Sequence, residues 1–208
     1  MSNILVWITI VGPLIYCVLV ILAGFLHPGY SHFAQSVSKL VFEPYGWIQT
    51  LNFFLSGLVV VALAFRFRLE FPKKRCFLVV FIMMIIIGLT QFWVGWFETD
   101  PQGGLVTLSS TIHHISADIG VMLFVFVCFL VIPTLKSNSF RGLIIYTIIA
   151  GTVALLLEIS WVMKIHFNFI RPEFGIYERV VLANTLVWIE VMALRLWVWH
   201  RGKSPIKQ

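Results

Sequence analysis

Six stretches of the chain are almost continuously apolar for about 20 residues, the length a helix needs to cross the hydrocarbon core of a bilayer. They run roughly over Ile4–Leu26, Trp47–Phe65, Phe77–Phe97, Ile112–Ile132, Gly142–Met163 and Ile176–Trp199. Breakers divide them: His27-Pro28-Gly29, Phe71-Pro72, Asp100-Pro101, Ile132-Pro133 and Arg171-Pro172. The runs do not alternate apolar with polar, and they are about twice the length of a barrel strand, so the pattern predicts helices. The expected fold is all-α: a polytopic integral membrane protein, a six-transmembrane-helix bundle forming one transmembrane domain over residues 1–208.

Composition sharpens this picture. Of 208 residues, 60% are apolar and only 12% charged, too few polar side chains to cover a water-soluble globule, which excludes a soluble enzyme. Cys17, Cys76 and Cys128 fall on three different spans, which favours neither a disulfide framework nor a thiolate metal site. Lys and Arg set the orientation. Arg66, Arg68, Lys73, Lys74 and Arg75 follow the second span, Lys136 and Arg141 the fourth, and Arg201, Lys203 and Lys207 the sixth. Against these ten, the other loops hold only Lys39, Lys164 and Arg171, so both termini are expected in the cytoplasm. The net charge of +6 is then an orientation signal facing anionic membrane lipid, with no nucleic-acid partner implied. The Met1-Ser2-Asn3 start carries no basic residue and the apolar run after it is long, so the first span reads as a retained helix in a multi-pass protein of the cell (plasma or inner) membrane. Trp47, Trp93, Trp96 and Trp161 near one boundary, and Trp7, Trp197 and Trp199 near the other, read as interface anchors.

Polar side chains inside the spans carry the candidate chemistry, because an ionised group at the bilayer centre costs about 2.5–3.5 kcal/mol even on the mildest scale. Gln49, Asn52 and Ser56 share a face of the second span, and Gly88, Gln91 and Gly95 a face of the third. His113, His114 and Asp118 lie in the fourth, Glu158 ends a stripe of small residues in the fifth, and Glu178 and Arg179 open the sixth. Depth along each helix places Asn52, Gln91, Asp118 and Glu158 about 6–9 Å inside one end of their spans, with Glu178 and Arg179 about one turn in. Antiparallel neighbours would bring these to one level in the outer third of the bilayer, near Asp100, Glu98, His27, His32 and Glu43 of the outer loops.

Asp118, His114, Glu158 and Glu178 are therefore the candidate acid–base groups, and Asn52, Gln91, Asp100 and Arg179 the candidate substrate contacts. A bland reading stands beside this one: Gln49, Asn52 and Gln91 as interhelical hydrogen-bonding glue, and Arg179 as a local partner of Glu178. His113, His114 and Asp118 are ligand types for a divalent metal, but their spacing is loose and no His-Glu-x-x-His supports it. No Gly-x-Ser-x-Gly nucleophile motif and no phosphate-binding glycine loop occurs. Glu190 lies deeper, on another face of the sixth span.

Several short motifs resemble a prokaryotic six-span family catalogued as domain of unknown function 998. They are His27-Pro28-Gly29-Tyr30-Ser31-His32 with Ser36 and Ser38, Asn52 to Gly57, Thr99-Asp100-Pro101 before the fourth-span histidines, and Gly175-Ile176-Tyr177-Glu178-Arg179 leading to Trp188 and Leu194-Arg195-Leu196. Lys39 and Glu98 depart from the family pattern. The outer-loop pattern is distantly similar to the damage-regulated autophagy modulator group, and that likeness implies a lipid-facing role. Three functions follow as expectations: a site that binds or modifies a lipid or other amphipathic substrate, a small proton-coupled transporter, or a structural or regulatory subunit without catalysis. Nothing in the sequence fixes a cofactor or an oligomeric state.

Overall fold

Backbone N–H and C=O groups find no water inside hydrocarbon, so an apolar run that crosses it must satisfy them within its own helix. In the computed structural model, which describes residues 3–42, 44–71, 75–101, 105–137, 140–167 and 174–203, every apolar run does so. The helices are α1 (Asn3–Leu26), α2 (Gly46–Glu70), α3 (Arg75–Trp96), α4 (Leu108–Leu130), a short α5 (Ile132–Ser137), α6 (Arg141–Phe167) and α7 (Phe174–Lys203), with a 3-10 helix at Val37–Val41. Six spans are long and apolar enough to cross a membrane, α4 and α5 counting as one, and no strand occurs among the described residues. Glu43, Lys73, Lys74, Arg171 and Lys207 lie outside the described residues, as do the side chains of Arg75, Cys76, Lys164 and Lys203.

Two helix ends differ from the hydropathy reading. α2 runs on past Phe65 to Glu70, which places Arg66 and Arg68 inside the helix instead of in the following loop. Arg66 is fully buried, and its guanidinium donates to Thr9 Oγ1 of α1 and, at 2.9 Å, to the main-chain oxygen of Ala193 in α7. At the other end of the bundle, α4 starts four residues before Ile112 because Thr107 caps it, its Oγ1 accepting the Ser110 N–H at 3.2 Å.

The helices pack as a ring: α1 on α2, α2 on α3, α3 on α4, α4 on α6, α6 on α7 and α7 back on α1, with α2 also touching α7 across the middle. Small residues allow the closest crossing. A Cβ on Gly57 would come within 2.6 Å of the Gly88 oxygen, so α2 and α3 meet there backbone to backbone. The main apolar core, including Leu63, Phe67, Phe77, Met84, Phe124, Trp188 and Met192, fills the half of the ring nearest the termini. The opposite half, under the α1–α2 loop, holds most of the polar side chains. Trp7 is exposed at one end of the bundle, and Trp47, Trp93 and Trp96 at the other.

Candidate functional site

The α1–α2 loop folds down onto the start of α7, and this contact builds the site. Gly175 makes it possible: a Cβ there would lie 2.5 Å from the Gln35 oxygen, 2.6 Å from that of Phe33 and 2.7 Å from that of His32. Ile176 N–H donates to Phe33 O at 3.0 Å. Arg179, one turn along, donates to Gln35 O (3.0 Å), Gly175 O (2.9 Å), Tyr30 OH (2.7 Å) and His32 Nδ1 (3.1 Å). Glu178 holds the other side of the loop, its carboxylate accepting the Val37 N–H at the start of the 3-10 helix and lying 3.5 Å from Ser38 Oγ. An anion at the first N–H groups of a helical turn is the favoured arrangement. In the loop itself, partial burial and then the neighbouring Arg179 charge push the His32 imidazole below its ordinary value, so it accepts from Arg179 as a neutral base.

Docked in this way, Ser36 and Ser38 become one wall of a cavity. The rest is lined by His113, His114, Ala117, Asp118 and Val121 of α4, Glu158 and Trp161 of α6, and Tyr177, Glu178 and Val181 of α7. Its volume is about 100 Å³, room for several waters or for a small polar group. Trp161 and Tyr177 stack across one side, ring centres 5.8 Å apart at 23°, and Trp161 shares the cavity wall with Asp118. On the other side His113 is almost fully buried, with Nε2 2.9 Å from Ser38 Oγ and Nδ1 2.8 Å from Phe97 O. His114 is more exposed and its Nε2 lies 3.4 Å from Thr99 Oγ1. A second, mostly apolar chamber shares Val121 and Val181 with this cavity and continues toward the bundle middle between Pro13, Tyr16, Val59, Phe124, Leu186 and Ile189.

The four candidate acid–base groups thus line one cavity: His114, Asp118, Glu158 and Glu178. The four candidate substrate contacts are placed elsewhere. Asn52 is fully buried between α1 and α2, donating from Nδ2 to Tyr16 O at 3.1 Å. Gln91 borders the apolar chamber and accepts from Ser56 Oγ at 3.1 Å. Asp100 caps the approach to α4, accepting the Thr107 N–H at 2.8 Å and its hydroxyl at 2.7 Å, and these bonds hold its carboxyl below the usual carboxylate range. Arg179 faces α1 and the loop, on a different side of α7 from Glu178. The longer helices also change the depths: Asp118 is about 15 Å along α4, whereas Glu178 is only about 6 Å along α7. Among the described residues, no three His, Cys, Asp or Glu side chains are grouped to hold a metal ion, and His113 is turned to Ser38 and Phe97.

Sequence reasoning missed Ser38, Tyr177 and Trp161 as cavity residues. Trp161 read as an interface anchor, yet it lies three residues after Glu158, a spacing that shares a helix face. The six spans and the polar cavity define a helical multi-pass membrane protein with a chemically equipped pocket. A family model described as "Protein of unknown function (DUF998)" matches residues 10–195. The chain belongs to the DUF998 family. No curated protein and no solved structure matches it.

Proposed function

We propose that the protein binds an amphipathic, lipid-like molecule, its polar end in the cavity of Asp118, Glu158 and Glu178 and its apolar part in the adjoining chamber. The supporting observation is the shared wall: Val121 and Val181 border both spaces, so one ligand can meet carboxyl, imidazole and hydroxyl groups at one end and a mostly apolar lining beyond. Asp118 or Glu158 serves as proton acceptor and His114 as donor when the ligand is modified, roles that need groups of different acidity in one dry pocket. Setting aside Arg66, which is buried inside the bundle, leaves nine basic residues on the terminal side against three on the other, which still favours cytoplasmic termini and a cavity reached from the outer leaflet.

The test is photo-crosslinking of a diazirine-bearing phospholipid to the full-length protein in nanodiscs, with peptide mapping. Adducts near the cavity in the wild type, lost in Asp118→Asn and Glu178→Gln proteins that still elute as a single species, are the expected result. Crosslinks spread evenly over the outer faces of the bundle, unchanged in both variants, would overturn the reading. Proton-coupled solute uptake by proteoliposomes that disappears in Glu190→Gln would favour transport instead.

A further inference from the structure

Resting on that reading, we infer that the cavity is an acyl-transfer site, with Ser38 the nucleophile and His113 its general base, acting on a carboxylic ester of the bound amphiphile. The inference comes from hydrogen-bond direction. Phe97 O can only accept, so the proton of the neutral His113 ring is on Nδ1, 2.8 Å away. Nε2 is then a bare lone pair, and the Ser38 hydroxyl 2.9 Å from it donates there, the Glu178 carboxylate oxygen at 3.5 Å being the more distant acceptor for the same proton. A serine hydroxyl donating to an imidazole whose second nitrogen is fixed by an acceptor is the arrangement that activates a serine nucleophile. Both residues line the cavity, although they are 75 positions apart and come from a loop and a helix.

The chemistry balances with water as the only co-reactant. Ser38 Oγ bonds to the ester carbonyl carbon as its proton passes to His113 Nε2, and the carbonyl π pair moves to oxygen. His114, the next residue on the same helix and on the cavity wall, is the donor available to that oxygen. Collapse breaks the bond to the alcohol oxygen, which leaves with the proton from Nε2. Water then attacks the acyl-serine, giving its proton to His113, and Ser38 departs with that proton, so ester and water become acid and alcohol. Glu178 keeps the Val37 N–H engaged and holds the 3-10 helix, which makes it a positioning residue in this step.

The experiment is labelling of the full-length protein in nanodiscs with a long-chain alkyl fluorophosphonate, read by intact mass and peptide mapping. A single adduct on Ser38 is expected, absent in Ser38→Ala and at least about 100-fold slower in His113→Gln, the size of effect a general base supplies. Protein denatured before the probe is added should not label, a readout that a purely structural Ser38–His113 bond would not produce. If His113→Gln does not elute as a single species, the comparison of native with denatured wild type and Ser38→Ala decides. No adduct on Ser38, with phospholipid crosslinking to the cavity intact, would overturn the nucleophile and leave the binding reading standing. An adduct on Ser38 without cavity crosslinks would support the nucleophile and sink the binding reading. Equal rates in folded His113→Gln and wild type would remove His113 as the base.

Discussion

Arg179→Met is the substitution that most clearly separates the loop clamp from the bundle. The methionine keeps the apolar stem but removes the donors that reach Gln35 O, Tyr30 OH and His32 Nδ1 across the α7–loop contact. A hydrogen bond contributes about 1 kcal/mol net, and more when one partner is charged. The guanidinium is half-buried, so the lower figure applies, and three bonds give about 3 kcal/mol. At about 1.4 kcal/mol per decade this is roughly a 100-fold rise in local opening. Hydrogen exchange reads it directly: the amides of Gln35, Val37 and Ile176, bonded to Ser31 O, the Glu178 carboxylate and Phe33 O, should exchange about 100-fold faster, while those of α2 and α3 keep their protection. Phospholipid crosslinking in the cavity should fall in parallel, because Ser36 and Ser38 form its wall only while the loop is docked. Unchanged exchange at these three amides would show that Arg179 does not hold the loop. A uniform loss of protection would assign it to the bundle as a whole.

The same clamp carries a pH dependence. His32 is held below its ordinary value, so protonation is resisted in the docked loop; docking is fullest above the unfolded value of about 6.5 and weakens as pH falls through it, seen as faster exchange of residues 31–37 at pH 5.5 than at pH 7.5 after correction for intrinsic rates. Thr107→Ala removes the α4 cap and the hydroxyl bond to Asp100, leaving the backbone N–H bond to that carboxylate, and should cost about 1 kcal/mol for the cap alone in denaturant-induced unfolding; no change would mean that the α3–α4 connection is held otherwise. Arg66→Met should be near neutral for stability, since a buried charge is exchanged for apolar volume, whereas Arg66→Ala leaves a hole and should cost about 2–5 kcal/mol. A methionine variant as damaged as the alanine one would mean that the bonds to Thr9 and Ala193 matter more than the packing.

What could be read from the chain, and what could not, follows from the range of each signal. Hydropathy measures the thickness of hydrocarbon, so it located all six spans but stopped α2 at Phe65, and Arg66 was counted as a loop cation. Nothing in a 20-residue window shows that an arginine beyond the apolar run will be buried against Thr9 and Ala193. Helical spacing identifies which residues of one helix share a face, and this grouped Gln49 with Asn52 and His114 with Asp118. It does not say which neighbour that face meets. The ring order turns the Asn52 face toward Tyr16 of α1 and the Asp118 face toward α6 and α7. Arg179 and Glu178 are adjacent in sequence and so point about 100° apart around α7, one to the loop and α1, the other to the cavity. Ser38 carries no periodic signal at all, because its place in the cavity depends on the loop folding back onto Gly175.

The central claim is one cavity, walled by α4, α6, α7 and the docked loop, open into an apolar chamber and occupied by an amphiphile. A density map of the protein in lipid nanodiscs tests it most directly. The account predicts elongated non-protein density with its polar end among Ser38, Asp118, Glu158 and Glu178 and its tail passing between Val121 and Val181. Asp118 and Glu178 turned away from each other, with side chains filling the space between α4 and α7, would contradict it.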